Sequence, residues 1–574
     1  MNDNGLATEM YQKHITPGNH AQSDYFAVIK KLVGLRESSP EKDSKQWQDK
    51  IDEIYRLVQD EISTNTSQPV TPVKFGTSGW RGILGKDFFL QSITQVTLAI
   101  ISLYQHLERD PQLASPLGVN SLDEAKVKGC VLGFDNRFGG EWLAKSTAEV
   151  LTSNGFTVHY AGESSTGALS AAVLELKAAF SINLTPSHNP LEYAGFKYNA
   201  ADAGPAAQVL TDWITKKARA IISENPRITI NPDPALMKNI DALELWKQLV
   251  IKNKTRHGLD YDGIINNFIE NNDLVVAVDC VHGASRVNIR PIFKDTTSER
   301  LLLFRADQDY TFGGVAPEPS SANMKLVMET LHSRPELLKL GMIIDPDADR
   351  IRFTDGTTEI SMNQFGAMAY HFLHEIKRKT GMVAKTVATS NFANALAAAF
   401  DEEIFEPAVG FKEFKPVIDK SLVCFEESDG ITVIGHTPEK DAYIGLILAL
   451  DMVLTLNKNL GDYLLEIQNT YGKYFPDRDS VRVSLKGEEL LGTLANLKKY
   501  TVGSRVAIGD QEKTIKKIID IDGLKMIFED ESWIMIRPSG TEPKVRFYVE
   551  ARTDAGRAAL FTTAMKMLGD IGLV

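Results

Sequence analysis

Apolar residues in this chain follow two rhythms, and the change between them divides it. Before residue 70 the spacing is helical: Tyr25 to Leu35 and Trp47 to Ile62 place apolar side chains three and four apart, with polar segments around them. Ser63 to Pro72 is rich in Ser, Thr, Asn and Pro and reads as a linker, so residues 1–72 are expected to form a helical N-terminal extension. From residue 73 short apolar runs alternate with amphipathic ones. Val127 to Phe134 reads as a strand ending in Asp135-Asn136-Arg137, and Glu141 to Asn154 as a helix stopped by Gly155. Phe156 to Tyr160 reads as the next strand, and Ala178 to Leu184 as a strand running straight into a polar loop. The pattern restarts near residue 260, with strands Leu274 to Val278, ending at Asp279, and Leu340 to Ile344. It restarts again near residue 370, with strands Thr386 to Thr389, ending at Ser390, and Leu422 to Phe425.

Such alternation predicts an α/β fold with parallel or mixed sheets covered on both faces, repeated three times without close sequence repetition. Ligands in these sheets bind beyond the carboxyl ends of the strands, and each polar motif here sits at that end. The last hundred residues differ: Ser480 to Leu485 alternates as a strand, Glu488 to Leu497 is helical, and Trp533 to Ile536 and Val545 to Glu550 flank another polar loop. This reads as a small C-terminal α+β domain. The expected boundaries are 73–258, 259–368, 369–474 and 475–574.

At 574 residues the chain is too long for one core. A net charge of −12 argues against nonspecific nucleic-acid binding, while a cationic cleft inside an acidic protein can still hold a phosphorylated ligand. No basic start precedes an apolar stretch, so no signal peptide is expected. The apolar run Ala442 to Leu456 is broken by Asp451 and is too short to span a bilayer; it reads as a buried helix. Cys130, Cys280 and Cys424 lie far apart beside apolar runs, as suits buried thiols of a reducing cytoplasm.

Three polar motifs carry the chemistry. In Thr185-Pro186-Ser187-His188-Asn189-Pro190 a hydroxyl stands beside an imidazole directly after a strand, and Gly195-Phe196-Lys197 adds a cation; a serine needs a base or metal nearby to accept a phosphoryl group. The plain alternative is a polar turn. In Asp345-Pro346-Asp347-Ala348-Asp349-Arg350 the carboxylates alternate, so in extended backbone they point the same way and repel unless a cation joins them. Oxygen ligands without His or Cys favour Mg²⁺ over zinc; a solvated acidic turn or a calcium loop is the alternative. Arg537-Pro538-Ser539-Gly540-Thr541 combines a guanidinium, hydroxyls and a glycine, the parts of a phosphate cradle or of an ordinary turn. Glu426-Glu427-Ser428 ends a strand with two carboxylates suited to sugar hydroxyls or to a helix N-terminus. Gly410-Phe411-Lys412 and Lys440-Asp441 are individually weak.

Together these motifs, with Phe75-Gly76-Thr77-Ser78-Gly79-Trp80-Arg81-Gly82, resemble the α-D-phosphohexomutase superfamily over about residues 73–550, in the family order, and most resemble phosphoglucomutases of the bacterial type. The resemblance implies a four-domain, heart-shaped fold with a central cleft, and interconversion of glucose 1-phosphate and glucose 6-phosphate. The intermediate and activator would be glucose 1,6-bisphosphate. Ser187 would carry the phosphoryl group and bind Mg²⁺ with Asp345, Asp347 and Asp349. His188, Lys197, Arg81 and Arg350 would be catalytic. Gly410, Lys412, Glu426, Ser428, His436 and Lys440 would line the sugar and phosphate sites, and Arg537, Ser539, Gly540 and Thr541 would grip the non-reacting phosphate. The implied partner is a small hexose phosphate, with no nucleic acid or membrane, for a monomer or small homo-oligomer. Phosphomannomutase or phosphopentomutase activity is the alternative within the family, and a sugar-phosphate-binding scaffold the alternative outside enzymes. The chain departs from the family pattern at Pro346 and Ala348, where glycines are usual, at Phe425, where the sugar loop usually begins with glycine, at Asp429 after the serine, and at Pro407-Ala408-Val409, where some phosphoglucomutases carry threonine.

Overall fold

The computed structural model describes residues 3–76, 79–107, 109–539 and 544–574. They form two compact units, one running up to Lys254 with Leu259–Gly356 and His436–Leu450, the other made of Thr255–Gly258, Thr357–Gly435 and Asp451 onward.

The first unit opens with α1 (Asp3–His14), α2 (Tyr25–Ser38) and α3 (Glu41–Thr64). On α3, Trp47, Ile51, Ile54, Tyr55, Val58 and Ile62 recur at helical spacing and are all buried. They share one hydrophobic core with the sheet that follows, so each anchors the extension by roughly 1.5–3 kcal/mol of apolar burial. That sheet holds β1 (Trp80–Ile83), β2 (Cys130–Phe134), β3 (Val158–Glu163), β4 (Phe180–Leu184), β5 (Tyr193–Ala200) and β6 (Met237–Asn239), in the order β1-β5-β4-β2-β3-β6. β6, β3, β2 and β4 run parallel, while β5 is antiparallel to both β4 and β1. A second sheet of this unit comprises β7 (Leu274–Asp279), β8 (Leu301–Phe304), β9 (Leu338–Ile344) and β10 (Ile351–Thr354), ordered β10-β9-β7-β8, and β11 (Glu359–Ile360) falls in the second unit. Its β7, β8 and β9 are parallel, and the turn between β9 and β10 carries the three aspartates.

The second unit contains β12 (Met382–Lys385), β13 (Ile404–Phe405), β14 (Ser421–Glu426) and β15 (Gly430–Val433), ordered β13-β12-β14-β15. Its last sheet is antiparallel: β16 (Phe475–Arg482), β17 (Arg505–Ile508), β18 (Gln511–Ile519), β19 (Leu524–Phe528), β20 (Trp533–Pro538) and β21 (Lys544–Ala551). Helix Asp554–Asp570 packs Leu560, Ala564, Met567 and Leu568 into that sheet's core. The architecture is thus the expected one, with mixed sheets before an antiparallel α+β end.

Two strands are placed differently from the sequence expectation. Val127 belongs to the helix Leu122–Lys128 and is 77% exposed; Ser121 caps that helix by accepting from Glu124 N at 3.1 Å, and Gly129 ends it in a left-handed turn. Thr386 to Thr389 is a turn beyond β12, because its threonine hydroxyls turn inward to hold a carboxylate instead of lining a pleat. Ala442–Leu456 is a helix, buried from Ala442 to Val453. Among the described residues no single helix is long and apolar enough to cross a membrane.

Candidate active site

In the first unit, Ser187 follows β4 and sits in left-handed backbone at φ 58°, fully buried. A non-glycine residue there costs roughly 1–3 kcal/mol of strain and persists only where its surroundings impose it. Here they do. Ser187 N donates to Thr185 Oγ1 at 2.9 Å, and Thr185 Oγ1 donates to Asp135 Oδ2 at 2.6 Å. Arg137, buried on the loop after β2, donates to four backbone carbonyls around the turn: Ser187 at 2.7 Å, Asn189 at 2.5 Å, Pro190 at 2.8 Å and Tyr193 at 3.3 Å. Behind the loop, Gly195 cannot be replaced, since a Cβ would lie 2.2 Å from the Thr185 carbonyl. Arg81 on β1, level with Gly195, donates to Asn189 Oδ1 at 3.0 Å.

Ser187 Oγ donates to Asp345 Oδ2 at 2.8 Å and lies 3.3 Å from His188 Nδ1. Asp345, Asp347 and Asp349 are all buried, and each offers an oxygen within 4.8 Å of the other two. Asp345 Oδ1 accepts from Asp349 N and Arg350 N, both at 3.0 Å, which closes the turn. Ala348 takes φ 52°, so the position where glycines are usual in the resembled family does need left-handed backbone, and alanine bears the strain. Lys197 Nζ on β5 donates to Asp347 Oδ2 at 2.5 Å and Asp349 Oδ2 at 2.9 Å. Lys440 Nζ is 3.3 Å from Asp349 Oδ2, and Arg350 Nε forms an ion pair with Asp349 Oδ1 at 3.5 Å.

These charges shift one another. Burial, with Asp349 and Asp347 alongside, pushes the Asp345 carboxyl well above the usual carboxylate range. Burial acts the same way on Asp349, but Lys197, Lys440 and Arg350 outweigh it and hold that carboxyl well below the range. Burial opposes the charge on Lys197, yet Asp347 and Asp349 raise its ammonium above the ordinary lysine value. Burial, with Arg350 and Arg81 nearby, keeps His188 well below the ordinary histidine value and hence neutral. The donor set suits a hard divalent cation: three carboxylates and a hydroxyl, with Asp347 Oδ1 buried and without a hydrogen-bond partner.

Several members of this cluster were not singled out from sequence. Thr166, in the Ser164-Ser165-Thr166 run after β3, donates its N–H to the Asp347 carbonyl at 2.8 Å and its hydroxyl to Asp347 Oδ2 at 2.7 Å. Glu439 accepts from Asn199 Nδ2 at 3.4 Å and from Lys440 N at 3.1 Å. Arg137 and Asp135 were legible as a polar strand end but not as the frame of the Ser187 loop. His436, by contrast, is not brought to the aspartates. Its side chain is fully buried, its Nε2 is 2.6 Å from Asp441 Oδ2, and its ring meets the edge of Trp246. Asp441 also accepts from Trp246 Nε1 at 2.5 Å. That is the environment of a core histidine, in place of the expected sugar-lining one.

In the second unit, Glu426 ends β14 and accepts from Ser428 Oγ at 2.8 Å. Its neighbour Glu427 is committed elsewhere, accepting from Thr386 Oγ1 at 3.0 Å and Thr389 Oγ1 at 3.2 Å. Asp429 adopts φ 71°, which an aspartate tolerates better than most residues. Gly410, at φ 134°, precedes a short helical turn that carries Lys412, whose Nζ is 3.9 Å from Glu413. Arg537, at the end of β20, pairs through Nε with Asp522 Oδ2 at 3.0 Å, and the same oxygen accepts from Val409 N at 3.0 Å. Asp522 therefore ties the arginine to the loop that leads into Gly410. Ser539 N donates to the Lys544 carbonyl at 2.9 Å. Gly540 and Thr541, with Thr77 and Ser78 of the first unit, lie outside the described residues.

Family models described as the phosphoglucomutase/phosphomannomutase alpha/beta/alpha domains I, II and III match residues 72–225, 261–358 and 361–471, and the C-terminal domain model matches 487–565. A phosphoglucomutase of Staphylococcus haemolyticus is 25% identical over 537 residues, covering 84% of this chain and 91% of that protein. A phosphoglucomutase/phosphomannomutase of Thermococcus kodakarensis is 25% identical over 509 residues, covering 86% of this chain and 98% of that one. Among solved structures, pp63/parafusin, a phosphoglucomutase of Paramecium, shares the fold with a TM-score of 0.68 at 21% identity, covering 88% of this chain and 96% of that one.

Proposed function

The chain belongs to the phosphoglucomutase/phosphomannomutase family and is a phosphohexomutase, an isomerase; from that premise we propose that it interconverts glucose 1-phosphate and glucose 6-phosphate through a phosphoryl group carried on Ser187. The observation that carries this reading is the Ser187 hydroxyl, buried, strained and 2.8 Å from Asp345 inside a cluster of three carboxylates and three cations. A sugar-phosphate-binding scaffold would have no use for a nucleophile held at such cost.

Phospho-Ser187 gives its phosphoryl group to the free hydroxyl of a bound hexose phosphate. The serine oxygen is released, and glucose 1,6-bisphosphate forms. The bisphosphate then presents its other phosphate, the Ser187 oxygen attacks that phosphorus, and the isomeric monophosphate leaves. Neutral His188, 3.3 Å from Ser187 Oγ, accepts or returns the hydroxyl proton. Lys197, Lys440, Arg350 and Arg81 supply positive charge around the transferring group. Asp345, Asp347 and Asp349 with a Ser187 oxygen would hold Mg²⁺, which when bound supplies charge neutralisation to the phosphoryl group. Glu426 and Ser428 bind sugar hydroxyls, Gly410 and Lys412 line the same face, and Arg537, with the Ser539-to-Thr541 loop, binds the phosphate that is not reacting. The enzyme acts on a free sugar phosphate in the cytoplasm, where its buried thiols Cys130, Cys280 and Cys424 stay reduced.

A coupled assay with Mg²⁺ against glucose, mannose, glucosamine and ribose 1-phosphates tests the substrate. Glucose 1-phosphate is expected to give the highest kcat/KM. A preference for mannose or ribose phosphate would leave the reaction class standing and overturn the sugar.

A further inference from the structure

Helices α2 and α3 of the extension touch the rest of the first unit where the Ser187 loop is anchored. Lys30 Nζ on α2 donates to Glu192 Oε1 at 2.5 Å, five residues after the nucleophile. Tyr55 on α3 stacks on Phe138 with centroids 4.3 Å apart, and Phe138 follows Arg137 directly. Arg36, 10% exposed, donates through Nη2 to Asp309 Oδ2 at 2.9 Å and Thr311 Oγ1 at 2.8 Å. Asp309 organises a tight turn, accepting from Thr311 N at 2.8 Å and Gly313 N at 3.0 Å. That turn holds Phe312 in left-handed backbone at φ 56°, a conformation a bulky residue adopts only when forced. The Phe312 ring lies under the Arg137 guanidinium, 4.8 Å away. Arg137 in turn holds the four carbonyls of the Ser187 loop.

A continuous path of packed and hydrogen-bonded groups therefore runs from Arg36 through Asp309, Phe312 and Arg137 to Ser187. We propose that the N-terminal helical extension is a brace for the nucleophile loop, with Arg36 and Arg137 as positioning residues that keep the Ser187 turn in its strained, reactive geometry. The logic is mechanical. A left-handed serine relaxes unless its surroundings over-determine it, and the extension closes the ring of contacts from outside. Removing Arg36 unseats the Asp309 turn, lets Phe312 relax and frees the Arg137 fork to leave the carbonyls. Substrate groups are untouched, so the loss falls on the chemical step and not on binding.

The kinetic part of this inference rests on Ser187 as the nucleophile; the amide-exchange part does not. Arg36→Ala, Arg36→Lys, Asp309→Ala and the Arg36→Ala/Asp309→Ala double variant of the full chain are measured for kcat, KM and amide hydrogen exchange. Arg36→Ala is expected to lower kcat about tenfold with KM nearly unchanged, since a small misplacement far from the chemistry costs up to about a hundredfold. Exchange over residues 185–193 should rise along with that over 305–314. Arg36→Lys, which keeps the charge, should recover part of kcat, and the double variant should be no worse than the worse single one. If Arg36→Ala does not fold, Lys30→Ala replaces it; that lysine is 46% exposed, and its loss should raise exchange over 185–193 by a smaller factor. Exchange confined to 25–38 and 305–314 with residues 185–193 unmoved would overturn the brace, as would unchanged kcat in Arg36→Ala. Should the wild type lack mutase activity, the functional reading falls, and the exchange comparison still decides the brace.

Discussion

The aspartate loop of the first unit and the proposed phosphate and sugar loops of the second solve opposite problems. In the first, the three aspartates, Ser187, Lys197 and Lys440 are buried and already paired: Lys197 bridges Asp347 and Asp349, Lys440 joins Asp349, and Ser187 bonds Asp345. In the second, the candidate binding groups are held from behind by local partners, Arg537 by Asp522 and Glu426 by Ser428, and Arg537 and Lys412 stay partly exposed. The contrast separates chemistry from recognition. A preorganised, water-poor cluster is what phosphoryl transfer demands. An arginine on a strand end, in the phosphate-binding role proposed for Arg537, can grip the phosphate of either isomer. Substitutions in the first unit should therefore stop turnover for every sugar, and substitutions in the second should alter binding and choice.

The largest effect is expected from Ser187→Ala, which should remove nearly all turnover with a circular-dichroism spectrum and melting curve close to wild type. Near-wild-type rate in that variant would break the comparison at its root. Asp347→Asn should come next, with turnover reduced by orders of magnitude and Mg²⁺ bound more weakly by calorimetry, because a neutral ligand leaves less charge to balance the phosphoryl group. Full activity in excess chelator would remove the metal from the account. Arg537→Ala should raise KM for all substrates, since one charge-assisted contact is worth about 1.5–3 kcal/mol, or roughly ten- to a hundredfold. Glu426→Gln should do less to any one substrate but should change the ratio of kcat/KM between glucose and mannose phosphates. If Arg537→Ala and Glu426→Gln depress all sugars by one common factor, the second unit has no division of labour.

The smallest effect concerns stability. Lys525 is buried against Trp533, donates to the Val387 carbonyl at 2.7 Å, and is lowered to about 7 by burial and by neighbouring Lys385. An unfolded lysine titrates near about 10.4. Between pH 7 and that value the unfolded chain holds a proton the folded one has lost, so stability rises with pH through the window, and the penalty is fully present below pH 7. Lys525→Met should flatten the difference in urea midpoint between pH 7 and pH 9. An unchanged difference would assign the slope to other groups.

Most of this was readable in the sequence wherever the signal was local. The Ser187 and aspartate loops follow apolar strands directly, so both position and chemistry could be inferred from neighbouring residues. What could not be read depends on long-range register. Nothing local says that Thr166 would meet Asp347, 181 positions away, or that Arg137 would span the Ser187 turn. The same holds for His436. Its neighbours suggest a polar loop, and only the packing of Trp246 and Asp441 makes it a core residue. The extension was legible as helices, but its contacts to Glu192 and Asp309 are set by tertiary packing.

The most direct test of the central claim is intact-mass analysis with peptide mapping after incubating the dephosphorylated enzyme with glucose 1,6-bisphosphate and Mg²⁺. One phosphoryl group should appear on Ser187 and leave again when glucose 1-phosphate or glucose 6-phosphate is added in excess. An enzyme that turns over its sugar phosphate while Ser187 stays unmodified, or that carries the group on another residue, would contradict the account.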